Sequence, residues 1–225
     1  LPAVVQWWYG RLCRVLDIHV QVSGAIAEPC LLVVNHIAWL DVMALGAQAP
    51  MGFLSKSEVR QWPLIGWMSA VVGTLFIARG ANQVESVTAE ISARIARCER
   101  VAIFPEGTTT EGGGVRRFFP RLFACALQPG LKVQPVALAY RSGNQPPPDR
   151  SIAFVGDQSL AENLWRVLRH PGLVAEVHFL APLQPGPQTD RRTLSVQARS
   201  AIVTALGLPE GAGLGAAPRA GAVLT

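Results

Sequence analysis

Three observations predict an α/β domain with a mainly parallel central sheet flanked by helices. Short apolar runs alternate with helical-period segments along most of the 225 residues. Half of the residues are hydrophobic, enough to bury a sizeable core in one domain. The polar motifs come directly after the apolar runs, and in open α/β sheets ligands gather beyond the carboxyl ends of the strands.

The elements follow in order. Residues 2–16 have a partly amphipathic helical pattern, with Val4, Trp8, Leu12 and Val15 at helical spacing. Trp7, Trp8 and Tyr9 beside Arg11 and Arg14 predict a membrane-interfacial helix over residues 1–17, with an ordinary core-packing helix as the alternative. His19–Val22 alternates as a short strand, and Cys30–Val34 is a continuous apolar run of the buried-strand type. Asp41–Ala49 is a predicted helix, and residues 51–55 a short strand. Residues 61–78 carry no charge over eighteen positions, but Pro63, Gly66 and Gly73 punctuate them. That pattern predicts a short helix and then strand Leu75–Ile77 rather than a span, with its apolar excess going to the core, an acyl-chain groove or a membrane. Val84, Val87, Ile91, Ile95 and Cys98 form one stripe of a helix over 83–98. Strand Val101–Phe104 stops at Pro105, and 117–127 is predicted helical. In strand Lys132–Tyr140, Pro135 predicts an edge or a bulge. After a Pro-rich loop at 143–149 come helix 160–169, strand 173–180 and helix 190–206. Residues 18–206 thus form the main domain, and the Gly-, Ala- and Pro-rich stretch 207–225 is a predicted disordered tail.

Composition narrows the function. Only 16% of residues are charged, below the ~25% of soluble proteins. The net charge of +5 and pI near 9.5 suit an anionic membrane surface or an acidic carrier protein. The basic residues are scattered, with no arginine-rich arm or aromatic-basic ladder, so nucleic acid is not an expected partner. Cys13, Cys30, Cys98 and Cys125 form no C-x-x-C pair and fit reduced, buried thiols. No charged-then-apolar signal peptide is visible.

Four constellations carry chemistry. The first is Asn35-His36-Ile37-Ala38-Trp39-Leu40-Asp41, directly after an apolar run. A histidine can take the proton of a hydroxyl at neutral pH, and a carboxylate on its other ring nitrogen fixes the tautomer. Five residues of regular helix would turn the two side chains apart by roughly 140°. They meet only if His36 lies in the loop before the helix and Asp41 in its first turn. The second constellation, Gly73 to Gly80, places Arg79 just past a strand, where a guanidinium can clamp a phosphate or make an ordinary surface ion pair. The third is Phe104-Pro105-Glu106-Gly107-Thr108 with Thr109, Thr110 and Glu111, whose amides and hydroxyls can hold an oxyanion or phosphate. The Gly112–Gly114 run after it has the composition of a flexible turn. The fourth, Val133-Gln134-Pro135-Val136, is apolar and structural in character.

In this order, NHIAWLD, GTLFIAR, FPEGT and VQPV resemble the blocks N-H-x-x-x-x-D, G-x-x-F-I-x-R, F-P-E-G-T and V-P-V of the glycerolipid acyltransferases, over about residues 5–180. Only the fourth departs, by Gln134. The resemblance implies the glycerolipid acyltransferase fold and O-acyl transfer from an acyl thioester to a lysolipid hydroxyl. It implies His36 as general base and Asp41 as its orienting partner. It also implies Arg79, Glu106, Gly107, Thr108 and Lys56 (in FLSKSE) at the acceptor's head group. No bound cofactor or metal is implied. Acyl-CoA or acyl carrier protein would be the donor, and the cytoplasmic face of the inner membrane the location. Lysophosphatidate, the broad family's default, is the expected acceptor, giving phosphatidate, with lyso-ornithine lipid as the alternative. Phosphatidate-forming relatives commonly carry arginine after F-P-E-G-T, however, and Thr109 stands there. FPEGTTTEG, PRLF at 120–123 and VGDQSLAENLW at 155–165 also resemble the bacterial lyso-ornithine-lipid acyltransferases. A lipid-binding protein without catalysis is the alternative of another class. The chain has no G-x-S-x-G or G-x-x-x-x-G-K-[ST], and no third or fourth metal ligand at telling spacing.

Overall fold

The computed structural model describes residues 2–28, 30–56, 75–77, 81–97, 99–128, 130–156 and 158–214. The elements are α1 (Pro2–Val15), β1 (Ile18–Ser23), β2 (Cys30–Val34), α2 (Leu40–Gly46), β3 (Gly52–Lys56), β4 (Leu75–Ile77), α3 (Ala81–Ala96), β5 (Val101–Ile103), β6 (Lys132–Ser142), α4 (Leu160–Leu168), β7 (Leu173–Phe179) and α5 (Arg191–Ala205). The helix expected at 117–127 is a 3₁₀ helix, Pro120–Leu127. Pro120 starts it, and the Phe119 amide is already tied to the Pro105 carbonyl. The predicted helix after residue 61 lies outside the described residues. Among those described, no helix is long and apolar enough to cross a membrane.

One seven-stranded sheet has the order β1-β7-β6-β2-β5-β3-β4. Strands β2 to β6 run parallel to one another, while β7 is antiparallel to β6 and pairs in parallel with β1. The run CLLVV is continuous because β2 is central and covered on both faces. Cys30, Leu32 and Val34 pack with α1, α2 and Val167 of α4, whereas Leu31 and Val33 pack with α3, the 3₁₀ helix and α5.

Helix α1 is part of this core rather than a separate appendage. Its Tyr9 and Cys13 are buried. Tyr9 lies so close to Gly46 of α2 that a Cβ there would stand 2.4 Å from its ring. The stripe read from spacing is only partly the packed one, since Val4, Trp8 and Val15 are exposed.

Pro135 is not on an edge. It sits inside β6, between β7 and β2. Proline has no N–H to give to Leu180 across the β7 side, although the Leu180 amide donates to the Pro135 carbonyl at 3.0 Å. The missing donor is replaced by Gln134, whose Nε2 donates to the Leu180 carbonyl at 2.9 Å and to the Ala25 carbonyl at 2.8 Å. Its Oε1 accepts from the Ala27 amide at 2.9 Å. The residue that departs from the family block is therefore a buried structural staple.

Residues 207–214, expected to be disordered, form turns docked on the domain. Buried Arg199 of α5 donates to the carbonyls of Val115 (2.8 Å) and Ala212 (3.0 Å), and the Val115 amide donates to Ala212. Nor is the triple glycine merely flexible. A Cβ on Gly114 would stand 2.5 Å from the Gly213 nitrogen, on Gly113 3.1 Å from Arg150 Nη2, and on Gly112 3.2 Å from Pro148. Each glycine admits a different neighbour at close range.

Candidate active site

The chain leaves β2 at Val34, and the next side chain continues the sheet by other means. The Asn35 amide donates to the Leu138 carbonyl and accepts from the Leu138 amide, both at 2.8 Å. This pairing fixes the exit from the strand, and His36 follows in the loop before α2. Its ring stacks on Phe104 with centroids 4.1 Å apart.

Asp41 is the second residue of α2 and fully buried. Its Oδ2 accepts from His36 Nδ1 at 2.6 Å, from the Ile37 amide at 2.7 Å and from the Ala38 amide at 3.1 Å. Its Oδ1 accepts from the Tyr140 hydroxyl at 2.8 Å. Four donors compensate the burial of this carboxylate. Burial and the Asp41 charge both push the Tyr140 phenol well up, so it stays a donor. A carboxylate can only accept, so the proton is assigned to Nδ1, leaving Nε2 with its lone pair. The His36 side chain remains 22% exposed, and among the described residues nothing hydrogen-bonds Nε2. The dyad therefore has the loop-then-first-turn geometry that the five-residue spacing requires.

Glu106 is placed otherwise than expected. It is 1% exposed, and both of its oxygens are engaged by backbone. Oε1 accepts from the His36 amide and Oε2 from the Arg116 amide, each at 2.7 Å. Burial pushes its carboxyl up to about 8, against the pull of the two amides. Such a group holds the histidine's backbone and has no free oxygen for a head group. Gly107 makes the turn after it with φ +68°, and Thr108 is half-buried beside it. The Thr110 amide donates to the His36 carbonyl at 2.8 Å, so the two blocks clasp each other's backbone. Lys56 ends β3, two strands from β2, but its side chain is not among the described parts. Arg79 lies outside the described residues.

Further residues complete the shell. Trp39 Nε1 donates to buried Asn163 Oδ1 at 2.8 Å, tying the dyad segment to α4. Thr109 Oγ1 donates to the Phe154 carbonyl, and the Phe154 amide donates to the Ile37 carbonyl at 3.1 Å. Near the same loop, Glu111 and Arg150 face each other at 3.7 Å with both side chains exposed. Asn35 and Phe104 stand within motifs but had no role from sequence. Tyr140, a polar residue ending the apolar run of β6, was the available hint for its part. Among the described residues, no group of acidic, histidine or cysteine side chains could hold a metal ion.

An oriented histidine with a free ring nitrogen, and no protein hydroxyl or thiol bonded to it among the described residues, defines a class of site. Its histidine can deprotonate a hydroxyl that reaches Nε2. Residues 17–139 match the acyltransferase family, and the chain belongs to it. The chain is 43% identical over 204 residues to a lyso-ornithine lipid O-acyltransferase of Pseudomonas aeruginosa, covering 90% of this chain and 78% of that one. It is 32% identical to a 1-acyl-sn-glycerol-3-phosphate acyltransferase of Neisseria gonorrhoeae, over 89% of this chain and 79% of that one. Its fold matches the crystal structure of the 1-acyl-sn-glycerophosphate acyltransferase of Thermotoga maritima with a TM-score of 0.67 at 18% identity, covering 91% and 78% of the two chains. The protein is an enzyme of acyl transfer.

Proposed function

We propose that the enzyme acylates the free hydroxyl of lyso-ornithine lipid, from an acyl thioester of coenzyme A or acyl carrier protein, at the cytoplasmic face of the inner membrane. His36 Nε2 takes the proton of the acceptor hydroxyl as its oxygen attacks the thioester carbonyl. The C–O bond forms, the C–S bond breaks, and the imidazolium returns the proton to the departing thiolate. Asp41 stabilises the imidazolium while it exists.

The observation that carries the acceptor is the exposed Glu111–Arg150 pair beside the dyad loop. An ornithine head group offers one ammonium and one carboxylate, which an opposed glutamate and arginine match charge for charge. A phosphate monoester needs an excess of positive charge instead. Thr109, where phosphatidate-forming relatives commonly carry arginine, spends its hydroxyl on the Phe154 carbonyl. Similarity to the Pseudomonas enzyme supports the same reading. Lysophosphatidate is the second reading, favoured by similarity to the Neisseria enzyme and by the adjacent Arg116 and Arg117.

Competition between lyso-ornithine lipid and lysophosphatidate at equal concentration is the test. The ornithine acceptor should dominate, and Glu111→Gln should lower its kcat/KM about tenfold, the scale of one charged hydrogen bond. Acylation of lysophosphatidate alone overturns the assignment.

A further inference from the structure

Helix α4 is anchored on one side and bare on the other. Ser159 and Glu162 close a capping box at its start. Buried Asn163 donates to the carbonyls of Ile152 (3.3 Å) and Ala153 (3.1 Å) while accepting from Trp39, and Val167 joins the core. The outward side presents Leu164, Trp165 at 58% exposure and Leu168 at 51%. The Arg169 guanidinium lies over the Trp165 ring, 4.7 Å from its centroid. A nine-residue helix has little stability of its own, and leaving an indole and two leucines in water wastes burial that folding could have used.

The same composition recurs on α1. There Val4, Trp7, Trp8 and Val15 are exposed, with Arg11 and Arg14 among them. Both helices pack on the sheet face that carries α2, through one apolar cluster holding Tyr9, Cys13 and Val167. α1 contains no acidic residue, and α4 contains only Glu162, which is used in its cap. On the opposite sheet face, α5 exposes a single large apolar side chain, Val196.

We propose that α4 is a second lipid-docking element and that α1 and α4 together seat this face on an anionic bilayer. Tryptophan beside arginine suits the headgroup region, where an indole lies among the acyl carbonyls and a guanidinium meets phosphate. The lack of uncommitted acidic residues on both helices fits an anionic surface better than a protein partner. The contact reaches the chemistry by a short route, because Asn163 on the inner side of α4 holds Trp39, midway between His36 and Asp41. This inference rests on the lysolipid-acceptor reading only in expecting a substrate that resides in a membrane.

Vesicle co-sedimentation without substrate tests the docking face. The vesicles are phosphatidylethanolamine with or without phosphatidylglycerol, and the proteins are wild type, Trp165→Glu/Leu168→Glu, Trp165→Phe and Val196→Glu. Circular dichroism and turnover of detergent-dispersed lysolipid report folding. The double variant should bind phosphatidylglycerol vesicles about tenfold less, with Trp165→Phe and Val196→Glu near wild type, as expected when apolar burial and lipid electrostatics act together. Equal binding by wild type and a folded double variant overturns the proposal. So does a double variant that converts a dimer into a monomer in sedimentation velocity and keeps its vesicle binding, because a second copy would then cover α4. A protein that binds vesicles through α4 but acylates no lysolipid would overturn the proposed function and leave the docking face standing.

Discussion

Two buried carboxyl side chains sit on the two segments that meet at the site, and they are wired differently. Asp41, on the segment 35–41, receives an imidazole, two amides and a phenol. Glu106, on the loop 104–116, receives two backbone amides and no side chain. The first acts on the histidine ring and the second on the histidine backbone. Motif membership alone does not reveal this difference, because an acid in a loop after a strand can face substrate or scaffold equally well. The contrast predicts a graded series of losses.

The largest loss belongs to the ring itself. His36→Ala should lower turnover by at least about 10²-fold, the scale of general-base catalysis, with the fold retained because the ring is at the surface of the core. A folded variant with near-normal turnover would falsify the role. Asp41→Asn comes next, at about 10²-fold. The asparagine oxygen can still serve three donors and its NH₂ can face the Tyr140 oxygen, so thermal melting should show a folded protein whose imidazolium is no longer stabilised.

Glu106→Gln sets an NH₂ against a backbone N–H and should cost about tenfold in turnover, with a pH signature in stability. In the fold, burial holds this carboxyl at about 8 rather than the ordinary 4.5. Its contribution to stability is fully present below the lower value and is lost as pH rises through the higher one. Denaturant midpoints of wild type relative to Glu106→Gln should therefore decline between about pH 5 and about pH 9. A constant difference between the two proteins would show that the carboxyl is not held high.

Smaller kinetic effects lie further out. Tyr140→Phe removes one of Asp41's four donors and should lower turnover less than tenfold, while costing about 1.5–3 kcal/mol in chemical denaturation. Gln134→Leu should leave kcat unchanged yet destabilise by about 3 kcal/mol, since it strips partners from the Leu180 and Ala25 carbonyls and the Ala27 amide inside the sheet. A kcat defect in Gln134→Leu would place the fourth block in the chemistry after all.

Much of the architecture was legible. CLLVV, the helical stripe through Ile91 and Ile95, and the strand–helix alternation each reflect local periodicity, which a chain carries with it wherever it packs. The dyad was legible as a spacing with a condition attached, namely a break between His36 and Asp41. That break exists because β2 ends at Val34, the Asn35 side chain pairs with Leu138 just past that end, and His36 lies in the loop. The position of Pro135 was misleading because its compensation comes from a neighbouring side chain reaching across strands. Residues 207–214 of the expected tail are instead ordered, because Arg199 reaches residues 115 and 212 at once.

The sequence by itself determined the α/β class, the order of the blocks and the five-residue spacing of a histidine and an aspartate. These depend on interactions within a few residues. Only the tertiary structure decided that Glu106 faces the His36 backbone, that Tyr140 supports Asp41 from 99 positions away, and that Trp165 is left outside the core. Each is a competition among contacts distant in the chain for one place in space. Its outcome is set by the desolvation and hydrogen-bonding of groups that meet only when the sheet has formed.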